Sequence, residues 1–298
     1  MVHVSLPDPR SDQVAKTLKN AKYASRAVQI MLGLCAAFTI GIAIFMITYI
    51  VVRGAPSISW QFLSDIPRKR MMEGGIWPAI AGTLWLVAGT ALFALPIGIS
   101  AGIYLSEFAQ RNARTRLIRL AIANMAGVPS IVYGLFGLAL FVIMTGWGRS
   151  VIAGAATLAC LTLPVIITST EEALRQVPST LRHASLALGA SRLRTIGKVV
   201  LPAAAPGIAT GSILGLSRAA GETAPIILTA VAFYGPTAAS PFQETMALPY
   251  FAYIMGTQAA IPAPHMVWGA VLVLVASVSI INVIAAIWRS HQRKKVRW

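Results

Sequence analysis

The chain has 298 residues, of which 56% are hydrophobic and only 11% charged, against about 25% charged in an ordinary soluble domain. So few charges cannot cover a water-facing surface, which excludes a soluble fold and makes the bilayer the natural solvent. The net charge of +16, from 25 Lys and Arg against 9 Asp and Glu, would suit nucleic acid, but the basic residues cluster between apolar runs, a placement that argues for the positive-inside rule instead.

In chain order, residues 1–26 are polar or mixed and carry Arg10, Lys16, Lys19, Lys22 and Arg26. They read as a cytoplasmic tail able to touch anionic headgroups. A membrane helix needs about 20 apolar residues at about 1.5 Å each. The first such run, Ala27–Val52, is too long for the apolar core of a signal peptide, so it predicts a retained span and no cleavable leader. Five more runs follow: Pro78–Leu105, Leu117–Met144, Val151–Thr170, Ala203–Ala232 and Met266–Trp288. A short turn around Gly146, Gly148 and Arg149 joins the third to the fourth. Residues 27–288 are therefore predicted as a six-helix transmembrane bundle, all-α, and residues 289–298 as a basic cytoplasmic tail. With both termini cytoplasmic, 19 of the 25 Lys and Arg fall on the inner side and five (Arg53, Arg68, Lys69, Arg70 and Arg149) on the outer, while Arg218 falls inside a span. The outer loop Phe233–His265 contains no Lys or Arg.

Glycines recur at helix-packing spacing: Gly98 with Gly102, and Gly207, Gly211 and Gly215. Small residues four apart let backbones approach closely in lipid, and they predict a packed bundle without saying which. Trp77, Trp147, Trp268 and Trp288 fall near span edges, where interfacial anchors are expected. Asn124, in the third span, reads as a packing hydrogen bond ahead of a path-lining group. Cys35 and Cys160 lie in apolar runs, and the four histidines have no paired spacing, so neither a disulfide nor a metal site is expected. No nucleophile–base arrangement appears. No GxxxxGK[ST] phosphate loop is present either, so the chain is not expected to hydrolyse ATP or to hold a cofactor of its own.

Between the fourth and fifth spans, Glu171–Leu201 is long for a bundle connection. Pro178-Ser179 can open a helix carrying Leu181, Ala184 and Leu188 at helical spacing, and Gly189 can end it. A second helix is expected over Ser191–Val200, stopped by Pro202. By spacing alone the pair reads equally as an amphipathic hairpin on lipid headgroups or as a docking element with an exposed apolar edge at Leu186 and Leu188. The run His183-Ala184-Ser185, then Gly189, Val199, Leu201 and Pro202, resembles the Glu-Ala-Ala loop of type I ABC importer permeases at every spacing. His183 stands where that family has Glu. The resemblance implies a coupling helix, with His183, Ala184, Ser185, Leu186 and Gly189 facing a cytoplasmic ATPase that binds the ATP.

In the fifth span, Arg218 and Glu222 are four residues apart on one helix face, on a stripe continued by Gly211 and Gly215. A charge at the bilayer centre costs about 2.5–3.5 kcal/mol, which makes such residues functional candidates. Two readings stay open here. The pair can simply neutralise itself. Alternatively, the guanidinium can face an anion path, with Glu222 weakening the grip or accepting from a phosphate O–H, and with Ser217 and Thr223 as neighbouring hydroxyls. Pro225 predicts a kink beside the pair.

The run from Gly215 to Pro225, with Gly221-Glu222-Thr223-Ala224-Pro225 at its end, resembles the fifth-span signature of phosphate permeases, and the PstA-type subunit more than its PstC-type partner. Gly74–Leu84 and Gly127–Leu135 are similar to signatures at that family's second and third spans. The resemblance implies a permease half in a bacterial cell membrane, moving inorganic phosphate by alternating access. Its partners would be a PstC-type permease, an ATPase dimer and an extracytoplasmic phosphate-binding protein. The alternatives are an importer permease for sulfate or molybdate and a secondary transporter, although no inverted repeat is evident.

Overall fold

The computed structural model describes residues 9–69, 71, 73–110, 112–235, 237–257 and 264–295. Arg70, Arg111, Arg297 and the first eight residues of the N-terminal tail lie outside the described residues. The chain divides into two compact units, Met1–Val52 and Arg53–Trp298. The first is the body of one helix, α1 (Pro9–Gly54), which is apolar around its whole circumference from about Ala27 onward. All-round apolarity is the pattern of a helix whose surroundings are lipid.

Among the described residues of the second unit the regular elements are all helices, joined by turns and loops that carry two isolated bridges, Arg68–Glu73 and Val231–Thr245. In order it contains α2 (Trp60–Ser64), α3 (Trp77–Ile103), α4 (Ala113–Ala126), α5 (Ser130–Gly137), α6 (Val151–Arg175), α7 (Ser179–Ala187), α8 (Arg192–Thr195), α9 (Leu201–Gly221), α10 (Ala224–Thr229), α11 (Leu248–Thr257) and α12 (Pro264–Lys295). Single π-helical segments extend α3 (Tyr104–Phe108) and α5 (Leu138–Met144) and join α8 to α9 (Ile196–Val200). Among the described residues, five helices are long and apolar enough to cross a membrane, and a sixth crossing exists if α4 and the α5 segment count as one broken span.

The central element is α6. Glycines on its neighbours bring their backbones onto it. A Cβ at Gly98 would stand 2.7 Å from Ile166, one at Gly102 would stand 2.6 Å from Thr170, and one at Gly211 would stand 2.1 Å from the Ser169 hydroxyl. Gly207 and Gly215 meet Ala173 and Ile166 in the same way. The glycine stripes expected to pack helices therefore do so, and both are read by α6.

Three expectations are corrected. The third span is not one rod: α4 and the α5 segment meet at a bend of 103°. Pro129 removes a backbone donor and pushes Val128 out of the helical region, so Gly127-Val128-Pro129 breaks the helix. Tyr133 closes the bend by donating to the Met125 carbonyl at 2.9 Å. The fifth span ends at Gly221 rather than running to Ala232. Pro202 does not stop the helix before it. The chain runs helically from Arg192 to Gly221, because Pro202 falls just after a widened π turn, at the start of α9, where a missing N–H is tolerated.

The loop over 233–265 is also more than a connection. It carries α11, whose Leu248, Phe251 and Met255 are buried with Phe62, Met71, Ile76, Ala79 and Met266. At ten residues α11 is too short to cross. Thr83 accepts from the Leu248 backbone N–H at 2.9 Å, and Gly82 lies so close to the Met246 carbonyl that a Cβ would fall 1.9 Å from its oxygen. The chain before α11 is thereby held against α3.

Overpacking a close contact typically costs about 1–3 kcal/mol. Gly211→Leu is expected to lower the thermal unfolding midpoint of the detergent-solubilised chain by several degrees or to prevent folding. Gly197→Ala, on the same continuous helix with nothing within 4 Å of its added Cβ, should leave the midpoint unchanged.

Candidate functional site

Two constellations stand out, and α6 links them. The first is where α9 stops. Gly221 ends the helix, Glu222 turns extended (φ −75°, ψ 129°), and α10 restarts after Thr223 with Pro225 in its first turn. The expected kink is thus a full break. Arg218 lies in the last turn of α9, where a cation complements the helix dipole. Its Nε donates to Glu222 Oε1 at 3.2 Å. The guanidinium side chain is 58% exposed and the carboxylate 18%.

Glu222 borders a small void lined by Thr83, Leu86, Leu158, Ala220, Ile226 and Ala247. Leu158 is seven residues into α6, which puts this collar about 10 Å below the helix end at 1.5 Å per residue. A carboxylate in so apolar a collar needs its partner, and Arg218 supplies it.

The other residues expected here divide. Gly211 and Gly215 are buried against α6, so the stripe that continues to Arg218 is a packing surface for two turns and only then emerges. Ser217 faces the interior, 4% exposed, with its hydroxyl donating to the Leu214 carbonyl at 3.0 Å, and is not beside Arg218. Thr223 sits half-buried in the break itself. Asn124 is exposed on α4.

The second constellation is the hairpin α7–α8 at the opposite end of α6. Gly189 takes φ +81°, a conformation that side chains disfavour, and turns the chain between the two helices. His183 and Ala184 are exposed. Ser185 is not a passive replacement for a second alanine, because its hydroxyl shares a 2.9 Å hydrogen bond with Thr195 and ties α7 to α8. The exposed apolar edge is present: Leu186 is 46% and Leu188 89% exposed, and Leu193 of α8 adds to it at 71%.

What the sequence reasoning missed is how this hairpin is held. Arg182 donates to the carbonyls of Leu174 and Val177 at 2.8 and 2.7 Å and to the Glu107 carboxylate at 2.8 Å. It therefore caps the end of α6 and reaches the end of α3 together. Arg192 donates to the Glu107 carbonyl and lies over the Phe108 ring, 5.4 Å from its centroid. Nearby, Glu171 accepts from both Arg119 and Arg175. The available signal was scarcity: with nine acids in the chain, any acid at a span end has a partner to find. Among the described residues, no group of His, Cys, Asp and Glu has the arrangement of a metal site.

Comparison with known proteins agrees with this architecture. Residues 94–298 match the family described as binding-protein-dependent transport system inner membrane component. A probable ABC transporter permease of Bacillus subtilis, YqgI, is 37% identical, over 90% of this chain and 96% of the relative. The phosphate transport system permease protein PstA 1 of Mycobacterium tuberculosis is 38% identical, over 72% of this chain and 71% of the relative. Among solved structures, a chain of a bacterial alginate ABC transporter, in complex with its alginate-bound periplasmic protein, superposes with a TM-score of 0.60 at 17% identity, over 90% of this chain and 94% of that one. At that identity the likeness is one of fold.

The Glu107–Arg182 pair is largely buried, with side chains 9% and 23% exposed. Hydrogen bonds to charged groups are worth about 1.5–3 kcal/mol. Glu107→Gln is expected to speed amide hydrogen exchange over residues 176–191 by about tenfold or more relative to wild type, and to leave exchange in α11 unchanged.

Proposed function

The chain belongs to the binding-protein-dependent transport system inner membrane components, and from that premise we propose that it is the PstA-type permease subunit of an ATP-driven importer of inorganic phosphate. The multi-pass membrane architecture is a property of the family. The cargo is carried by one observation: an arginine and a glutamate face each other at a break in a membrane helix, in an otherwise apolar collar. The 38% identity to a phosphate permease over most of both chains supports the same reading.

The guanidinium offers paired donors to an oxyanion. Because Arg218 is more than half exposed on this chain alone, a second, PstC-type permease would close the other side of the path. An incoming phosphate would displace Glu222 from Arg218. The freed carboxylate could then accept the phosphate O–H, which sulfate lacks at neutral pH. The break lets α9 and α10 move separately, so the pair can be offered to one side of the membrane and then to the other.

The hairpin α7–α8 would dock on one member of an ATPase dimer through Leu186 and Leu188, rimmed by His183, Arg194 and Lys198. An extracytoplasmic binding protein would deliver phosphate at the opposite end. Both termini would be cytoplasmic, in a cell membrane, following the basic clusters. ATP would be bound and hydrolysed by the partner, and the permease itself would need no cofactor. The surrounding lipid completes its environment.

The test is radiolabelled phosphate uptake in cells lacking the gene and complemented with chains matched for membrane expression. Wild type should restore uptake that excess sulfate does not suppress. Arg218→Ala should lower uptake about ten- to hundredfold, the weight of one charge-assisted contact. Glu222→Ala should retain part of the uptake and admit sulfate as a competitor. Full activity in both variants would return the pair to a structural role, and no restoration by wild type would sink the cargo assignment. Separately, Leu188→Asp should abolish co-purification of the ATPase and leave the amount of folded permease unchanged. Retention of the ATPase would refute hairpin docking.

A further inference from the structure

Beside the hairpin, between the end of α3 and the start of α4, lies an open cleft of about 1190 Å³. Five guanidinium groups line it: Arg116, Arg119, Arg175, Arg182 and Arg192. The carboxylates paired with them are Glu107 and Glu171. Three positive charges are therefore left without a described acid. A positive-inside bias accounts for arginines at this end of the chain, but it does not account for their convergence. Exposed arginines repel one another and spread into solvent. Three of these are held: Arg182 by two backbone carbonyls and Glu107, Arg119 by the Leu105 carbonyl and Glu171, Arg192 by the Glu107 carbonyl and the Phe108 ring.

A guanidinium has five N–H donors, and none of these contact sets uses all five. The uncharged lining includes Gln110 and Asn112, and the first turn of α4 opens here. The space exceeds that of a typical small-ligand site.

We propose that this cleft binds a phosphate-bearing anion. Fixed guanidinium groups with spare paired donors match phosphate oxygens in geometry as well as charge. A surplus of three charges suits a dianion or a clustered headgroup. Two sources carry that chemistry: the headgroup of an anionic phospholipid in the facing leaflet, or free phosphate in the adjoining water. The assignment does not rest on which anion passes Arg218. It concerns the other end of α6, and it stands whatever cargo the transporter moves.

The test uses the purified complex with its partner permease and ATPase, every chain carrying Arg218→Ala so that the translocation path does not contribute. Arg116→Gln with Arg175→Gln removes two of the five guanidinium groups and lowers the net charge of the cleft from +3 to +1. Glu171 stays on Arg119 and Glu107 stays on Arg182, so no carboxylate is orphaned. One arm measures radiolabelled inorganic phosphate bound at equilibrium in neutral detergent. The other reconstitutes the complex in phosphatidylcholine alone or mixed with phosphatidylglycerol, and uses mass spectrometry to count phosphatidylglycerol retained on the complex. The expected result is binding in at least one arm, weakened about tenfold or more in the double variant and by added salt. A signal in the phosphate arm alone identifies a soluble anion, and a signal in the lipid arm alone identifies a headgroup. Absence of binding in both arms, or equal binding by wild type and double variant, overturns the proposal.

Discussion

The close approach of α3 and α9 to α6 is the contact on which the second unit depends. Lipid is as apolar as a leucine side chain, so burying leucines between helices gains little there, and association has to come from backbone proximity and dispersion. Ile166 shows how this is arranged. It is fully buried, with Gly98 of α3 on one side and Gly215 of α9 on another. Farther along, Gly137 of α5 meets Thr157 and Gly154 meets Ala230. At most of these contacts the neighbour surrenders a side chain so that α6 can keep its own, and at Gly154 the roles are reversed. The hydroxyls of Thr157 and Thr162 turn back onto α6 carbonyls and need nothing from outside.

That spine makes the interruptions affordable. Backbone groups exposed at a helix break have no water to turn to in a membrane and must be met by protein. The two breaks are consequently placed against one another. Gly134, just after the first, approaches Ala224 and Pro225, just after the second. The ends are then tied in: the Ser150 N–H donates to the Thr229 carbonyl at 2.9 Å, and Arg149 donates to the Val231 carbonyl. Glu222 itself stays tied to α9, its N–H donating to the Ala219 carbonyl at 3.2 Å and its carboxylate accepting from Arg218, while the chain after it is held by this paired arrangement.

Most of the bundle was legible in the residues because its signals are local. Apolar runs, small residues four apart and basic clusters each follow from one physical rule, and α3, α6 and α12 sit where those rules put them, as does the start of α9. The hairpin was equally readable, since Pro178, Gly189 and Ser191 carry start and stop signals of their own. The elements that escaped are those decided at a distance. Hydropathy sees Leu117–Met144 as one run and is blind to a bend of 103° within it, although Gly127-Val128-Pro129 marked the place. The ten residues of α11 are received by Phe62 and Thr83, which lie more than 160 residues earlier in the chain. At the candidate site, the pairing of Arg218 with Glu222 followed from spacing, whereas the burial of Ser217 depends on which face of α9 meets its neighbours. The clasp on Glu107 joins residues 75 apart and has no local trace.

Leu188 sits at the tip of the hairpin with 89% of its surface open. Gly189 behind it takes φ +81°, a conformation that side chains disfavour, and so sets the turn that presents this leucine. The chain by itself therefore carries a protruding apolar tip, on a hairpin fastened by Arg182 and Arg192. Such a tip is what proteolytic surveillance and holding chaperones recognise. If the docking proposed for the hairpin holds, the cellular amount of this chain would track that of the partner that covers Leu188, because uncovered copies would be removed rather than stored.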